Sequence, residues 1–155
     1  MNLDAINLPE GVGNLTFGMT KSDIVKLLGD NFKERIETDG DLELEYEHLS
    51  IRCTFLKEFD YRLGVITTER KKATLCGEIL FGKSKSQLRR FIREKLKGDI
   101  SEEDGCIHED GHIQEWIDVS EKNILFWFRN DELYLIDCFC SWADDDTPIW
   151  HESEA

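Results

Sequence analysis

The stretch from Phe17 to Gly29, Phe-Gly-Met-Thr-Lys-Ser-Asp-Ile-Val-Lys-Leu-Leu-Gly, constrains this chain more than any other. It specifies a short helix with both ends marked. Thr20 suits the N-cap, where its hydroxyl accepts a hydrogen bond from a free amide of the first turn. Asp23, three residues on, can reach back to the cap amide and close a capping box. Met19 and Ile24 stand at the two positions of a hydrophobic staple. Ile24, Leu27 and Leu28 share one face, and Gly29 can take the left-handed conformation that ends a helix. The pattern then returns. Phe81-Gly-Lys-Ser-Lys-Ser-Gln-Leu-Arg-Arg-Phe-Ile begins 64 positions after Phe17. Ser84 with Gln87 forms a second box, and Leu88, Phe91 and Ile92 take the places of Ile24, Leu27 and Leu28.

Past the helices the match resumes at an offset of 70. Tyr46 falls on Trp116, Leu49 on Val119 and Ser50 on Ser120. Leu63, Val65 and Ile66 fall on Leu133, Leu135 and Ile136. The change of offset places an insertion in or near Ser101 to Gly111. Two tandem copies follow from this, approximately 15–77 and 78–141. With only Pro9 and Pro148 as prolines and no low-complexity linker, the copies belong to a single domain over 1–155.

The strand signals are antiparallel in kind. Leu42 to Glu47 alternates strictly, which puts Leu42, Leu44 and Tyr46 inside and Glu43, Glu45 and Glu47 on a wet face. Ser50 to Leu56, Arg62 to Thr68, Ala73 to Phe81, Ile113 to Val119, Ile124 to Arg129 and Leu133 to Phe139 read as further strands. Residues 1–14 read as an irregular lead-in broken by Pro9 and two glycines. Ile100 to Gly111 reads as an acidic loop and Trp142 to Ala155 as an acidic tail. Strands grouped after each helix predict an α+β fold. Its two helix-plus-antiparallel-meander units would share a curved sheet, with the helices on one face.

Charge narrows the partner. Lys and Arg total 19 against 33 Asp and Glu, a net charge of −14. Such a field repels nucleic-acid phosphate and anionic membranes and draws in a basic partner. The N-terminus has no basic segment followed by an apolar run, and no apolar stretch is long enough to cross a membrane. Five scattered cysteines, Cys53, Cys76, Cys106, Cys138 and Cys140, fit free thiols in a reducing compartment, so a cytoplasmic protein is expected.

No catalytic pattern stands out. There is no nucleophile elbow and no glycine-rich phosphate loop. Cys106, His108, Asp110 and His112 are zinc-competent types without the usual paired spacing, so they read as a polar inserted loop. Cys138 and Cys140 share a strand face and read as small core residues. The basic residues from Lys85 to Lys95 read as a solvated helix face. No metal and no cofactor are expected, and no enzyme. Two surface features remain. Glu43, Glu45 and Glu47 form an acidic row. Asp144, Asp145 and Asp146 lie between Trp142 and Trp150, where aromatic anchors beside acids suit a protein interface.

The Phe-Gly-Met-Thr-x-x-Asp-Ile-x-x-Leu-Leu-Gly run resembles the helical signature of the β-lactamase-inhibitor-protein-like tandem repeat fold. The resemblance covers residues 15 to 140 and implies duplicated helix-plus-antiparallel-sheet units. Size, acidity and the expected cytoplasmic character also resemble the immunity proteins of bacterial polymorphic toxin systems, including contact-dependent inhibition. That resemblance implies a protein that binds and neutralises a cognate, basic toxin domain, a nuclease being one case. The alternative is a cytoplasmic, non-enzymatic adaptor or assembly module that binds another protein.

Overall fold

The structure, a computed structural model, describes residues 2–144 and 146–150. Its first helix, α1 (Lys21–Leu28), is built as its caps dictate. The Thr20 hydroxyl accepts from the Asp23 amide at 3.2 Å, and the Asp23 carboxylate accepts from the Thr20 amide at 3.0 Å. Gly29 closes the helix at φ 88°, a left-handed geometry that glycine adopts without a Cβ clash. The second helix, α2 (Lys85–Phe91), starts with the same two bonds between Ser84 and Gln87. It runs on as a π-helical turn (Ile92–Leu96) and ends at Lys97, itself left-handed. Ile24 and Leu28 from α1, and Leu88, Phe91, Ile92 and Leu96 from α2 and its extension, enter one continuous core.

Strands dominate the rest. The small sheet runs in the order β3 (Leu15–Thr16), β2 (Gly11–Val12), β1 (Ala5–Asn7), β8 (Thr74–Leu75) and β9 (Glu78–Ile79). Its β1 and β8 are parallel. The large sheet is made of β4 (Lys33–Ile36), β5 (Leu42–Tyr46), β6 (Ile51–Leu56) and β7 (Arg62–Thr68), with β10 (Glu102–Ile107), β11 (Ile113–Val119), β12 (Ile124–Arg129) and β13 (Glu132–Phe139). Its order is β10-β11-β12-β13-β7-β6-β5-β4, antiparallel throughout, with β7 and β13 joined at the centre. A hairpin, β14 (Ser141–Asp144) with β15 (Thr147–Ile149), follows.

The α+β expectation is therefore wrong. Strands hold 46% of the residues and helices 20%, so this is a mostly β protein with two short helices and large antiparallel sheets. Three stretches account for the difference. The lead-in forms strands because glycine permits its turns: at Gly13, φ is 55° and a Cβ would lie 2.1 Å from the Asn2 carbonyl oxygen. The acidic stretch expected as a loop contains the edge strand β10, exposed from Glu103 to Ile107. The acidic tail is the β14–β15 hairpin up to the last described residues.

The two halves of the large sheet hang from matching hydrogen bonds. The Gly18 amide donates to the Leu63 carbonyl and the Leu63 amide to that of Met19, at 2.9 and 2.8 Å. The Gly82 amide donates to the Leu133 carbonyl and the Leu133 amide to that of Lys83, at 3.3 and 2.9 Å. The predicted pairing of Tyr46 with Trp116 fails, however. Tyr46 faces the core and is fully buried, whereas Trp116 lies off the core cluster. Tyr46 corresponds to Val119. Each ends its strand opposite an isoleucine, Ile51 or Ile124. Each is followed by a 3₁₀ turn, Glu47–Leu49 or Ser120–Lys122, and then a left-handed residue, Ser50 or Asn123. The single offset of 70 could not hold. The β6–β7 connection carries a 3₁₀ turn at Lys57–Phe59, while Asn130 and Asp131 alone join β12 to β13.

Candidate binding face

The predicted acidic row breaks up. Glu43 does not face water: it is 5% exposed. Its carboxylate pairs with Arg35 at 2.6 Å and with Arg52 at 3.7 Å. Burial pulls the Glu43 carboxyl upward, but hydrogen bonding from Glu37 and Arg35 outweighs it and leaves the group below the usual carboxylate range. Glu37 is pushed up by the same contact with Glu43. Glu45 is half-buried, in register between Lys33 and Arg52. Glu47 has left the strand for the 3₁₀ turn and meets Lys33 at 2.6 Å. Strict alternation is lost because basic residues on the neighbouring strands fold over the carboxylates. Glu43 and Glu47 are thus ion-paired within the chain.

The other predicted feature is brought together by tertiary contact. Trp142 and Trp150 both pack edge-on against Phe59, with ring centroids at 5.3 and 6.3 Å. Trp150 also covers Gly18, where a Cβ would come 2.9 Å from the Trp150 Cβ. Trp150 is thus half-buried against the core, and Trp142 stays exposed. Asp144 and Asp146 are exposed in the hairpin turn, where the Asp146 amide donates to Asp144 at 2.9 Å. That bond holds the Asp144 carboxyl below its usual range. Asp145 lies outside the described residues.

The basic helix face is not simply solvated. Lys85 is 8% exposed. Its ammonium meets Glu115 at 3.1 Å and Glu103 at 3.7 Å. Arg89 also reaches Glu103, at 2.6 Å, and holds the Glu103 carboxyl below the usual range. These contacts fasten α2 to β10 and β11.

A different surface went unread in the sequence. The large sheet has one face on the core. The opposite face carries Trp116, Leu125, Trp127, Leu135, Phe139 and Val65, none of which belongs to the core cluster. Cross-strand register sets them side by side: Trp116 opposite Trp127, Trp127 opposite Leu135, and Phe139 opposite Val65. The two indoles lie 5.7 Å apart, tilted by 47°. Leu135 is 8% exposed although it lies outside the core; its neighbours on this face bury it. In their midst, Asp137 accepts from the Trp127 indole N–H at 2.9 Å and from the Thr67 hydroxyl at 2.5 Å. The signal was present in β12. Ile-Leu-Phe-Trp-Phe is apolar at every position, whereas an antiparallel strand with one wet face alternates.

Other chemistry is sparse. Among the described residues, no three His, Cys, Asp or Glu side chains are grouped to hold a metal ion. His108 and His112 stack at 4.3 Å, His108 bonds to Gln114 and His112 to Asp110. Cys53, Cys138 and Cys140 are buried free thiols, and Cys76 and Cys106 are exposed ones. An open cleft of about 910 Å³ between β1, β8 and the Glu121–Asn123 turn contains no convergent set of titratable groups. Among the described residues, no helix is long and apolar enough to cross a membrane. No protein-family model, curated protein or solved structure matches this chain.

Proposed function

We propose that this chain is a non-enzymatic binding protein that covers and neutralises a basic partner protein. The apolar second face of the large sheet carries this reading. Trp116, Trp127, Leu125 and Phe139 stand half-buried on that face, outside the core cluster. Contiguous apolar surface of this kind marks an interaction site, and tryptophans contribute heavily to such contacts. The net charge of −14 selects a cationic partner and accelerates encounter with it. Catalysis has no part in this reading.

The narrower assignment, a cytoplasmic immunity protein against a toxin domain, draws on the resemblance of the Phe17–Gly29 motif and on the acidity. Affinity capture in the native cell, with crosslinking, tests it. The expected partner is a basic protein encoded beside this gene, whose toxicity is lost on stoichiometric binding. A captured partner that keeps its activity would favour the adaptor role instead. Failure to recover any specific protein partner would remove both.

A further inference from the structure

We propose that Asp137 is the seat for an arginine or lysine side chain of the partner. This rests on the binding reading above and names the chemical group that the sheet face recognises. Asp137 sits at the middle of that face. Its cross-strand neighbours are Leu125 on one side and Thr67 on the other. Two donors, the Trp127 indole and the Thr67 hydroxyl, fix the carboxylate, one on each oxygen. Both donors are neutral. They orient the group and leave its charge uncompensated, and each carboxylate oxygen retains acceptor capacity.

Among the described residues no cation pairs with Asp137, although Glu43, Glu103 and Glu115 on the same sheet all form ion pairs. Two basic residues on neighbouring strands are engaged elsewhere. Arg52, in line beyond Thr67, is turned to Glu43, and Arg129 lies over the Tyr134 ring at 4.6 Å. A half-buried carboxylate beside the Trp127 indole suits a guanidinium or ammonium. The cation gains a charge-assisted hydrogen bond and can lie against a Trp face. Arginine fits better, since its flat group stacks and bonds at once.

The test uses the intact chain and three acetylated tetrapeptides of arginine, lysine and citrulline, the last a neutral mimic of arginine. Binding is followed through the indole N–H resonance of Trp127 by NMR. The arginine peptide should shift that resonance saturably, the lysine peptide less, and the citrulline peptide not at all. Asp137→Asn should weaken the arginine peptide by roughly tenfold or more, the size expected for one lost charge-assisted bond. Leu125→Lys, which places the chain's own ammonium beside Asp137, should do the same, and it decides the matter if the Asn variant misfolds. Equal binding by wild type and these variants, or no shift at Trp127 with wild type, overturns the proposal. A captured partner that binds Asp137→Asn as tightly as wild type also overturns it, yet leaves the general binding reading standing.

Discussion

Tyr46 and Val119 occupy the same station in the two halves of the large sheet, but only Tyr46 makes a polar bond there. Its hydroxyl donates to the Gly29 carbonyl at 2.8 Å, the residue that closes α1. Burial pushes the phenol up to about 12. Tyr46→Phe should therefore destabilise the protein by about 1 kcal/mol, the usual value of one such bond. A urea midpoint lowered without a change in slope would register it; an unchanged midpoint would mean that the Gly29 carbonyl finds another donor.

Both capping boxes should be felt. Thr20→Ala and Ser84→Ala should each cost about 1 kcal/mol. The two sites lie on separate helices without shared partners, so the double variant should cost nearly the sum. Thermal melts of the four proteins check this, and a strongly sub-additive pair would indicate that one helix melts ahead of the other.

The three glutamates of the acidic row should not behave alike. Glu43→Gln leaves Arg35 and Arg52 facing a neutral group in a nearly closed setting, and should cost about 1–2 kcal/mol. Glu45→Gln and Glu47→Gln touch more exposed positions and should change stability by less than about 0.5 kcal/mol. Comparable losses at all three sites would contradict the burial of Glu43.

Acid should loosen the attachment of α2. The Glu103 carboxyl is held below its ordinary value by Arg89, so the unfolded chain takes up this proton first as pH falls. The contribution is present above the ordinary glutamate value of about 4.3 and is lost as pH drops through the lower folded value. Glu103→Gln should thus melt below wild type at pH 7, with the gap closing as pH falls below the ordinary glutamate value. A gap that stays constant with pH would assign the loss to packing.

Thiol chemistry reports the core directly. Burial pushes Cys53 up to about 12 and Cys140 up to about 11, and raises Cys138 as well. In the native protein only Cys76 and Cys106 should react promptly with Ellman's reagent, and all five cysteines should react after denaturation. Rapid reaction of a third thiol would place one of the three buried cysteines at the surface.

Local signals were legible where the chain needs only its near neighbours. Thr20 with Asp23, and Ser84 with Gln87, bond within three residues. Glycine at position 29 meets a requirement of its own backbone. Ile124 to Arg129 reads as a strand because Ile124, Phe126, Trp127 and Phe128 favour one. The burial of Glu43 is not legible in its own strand because Arg35 and Arg52 lie on β4 and β6 and meet it only through register. Trp116 is not the equivalent of Tyr46 because it lies three residues before Val119, and an odd slip turns the side chain to the other face.

The sequence by itself determined the helix caps, the acidity and most strand positions, since each depends on local bonding or on composition. Tertiary structure alone decided how those strands join. The meeting of β7 with β13 makes one eight-stranded sheet, and closure of the core on one side leaves Trp116, Trp127 and Leu135 together on the other. Asp137 meets Thr67 across that join, 70 positions apart in the chain. A contact of that span follows from pairing register, and no short-range pattern encodes it.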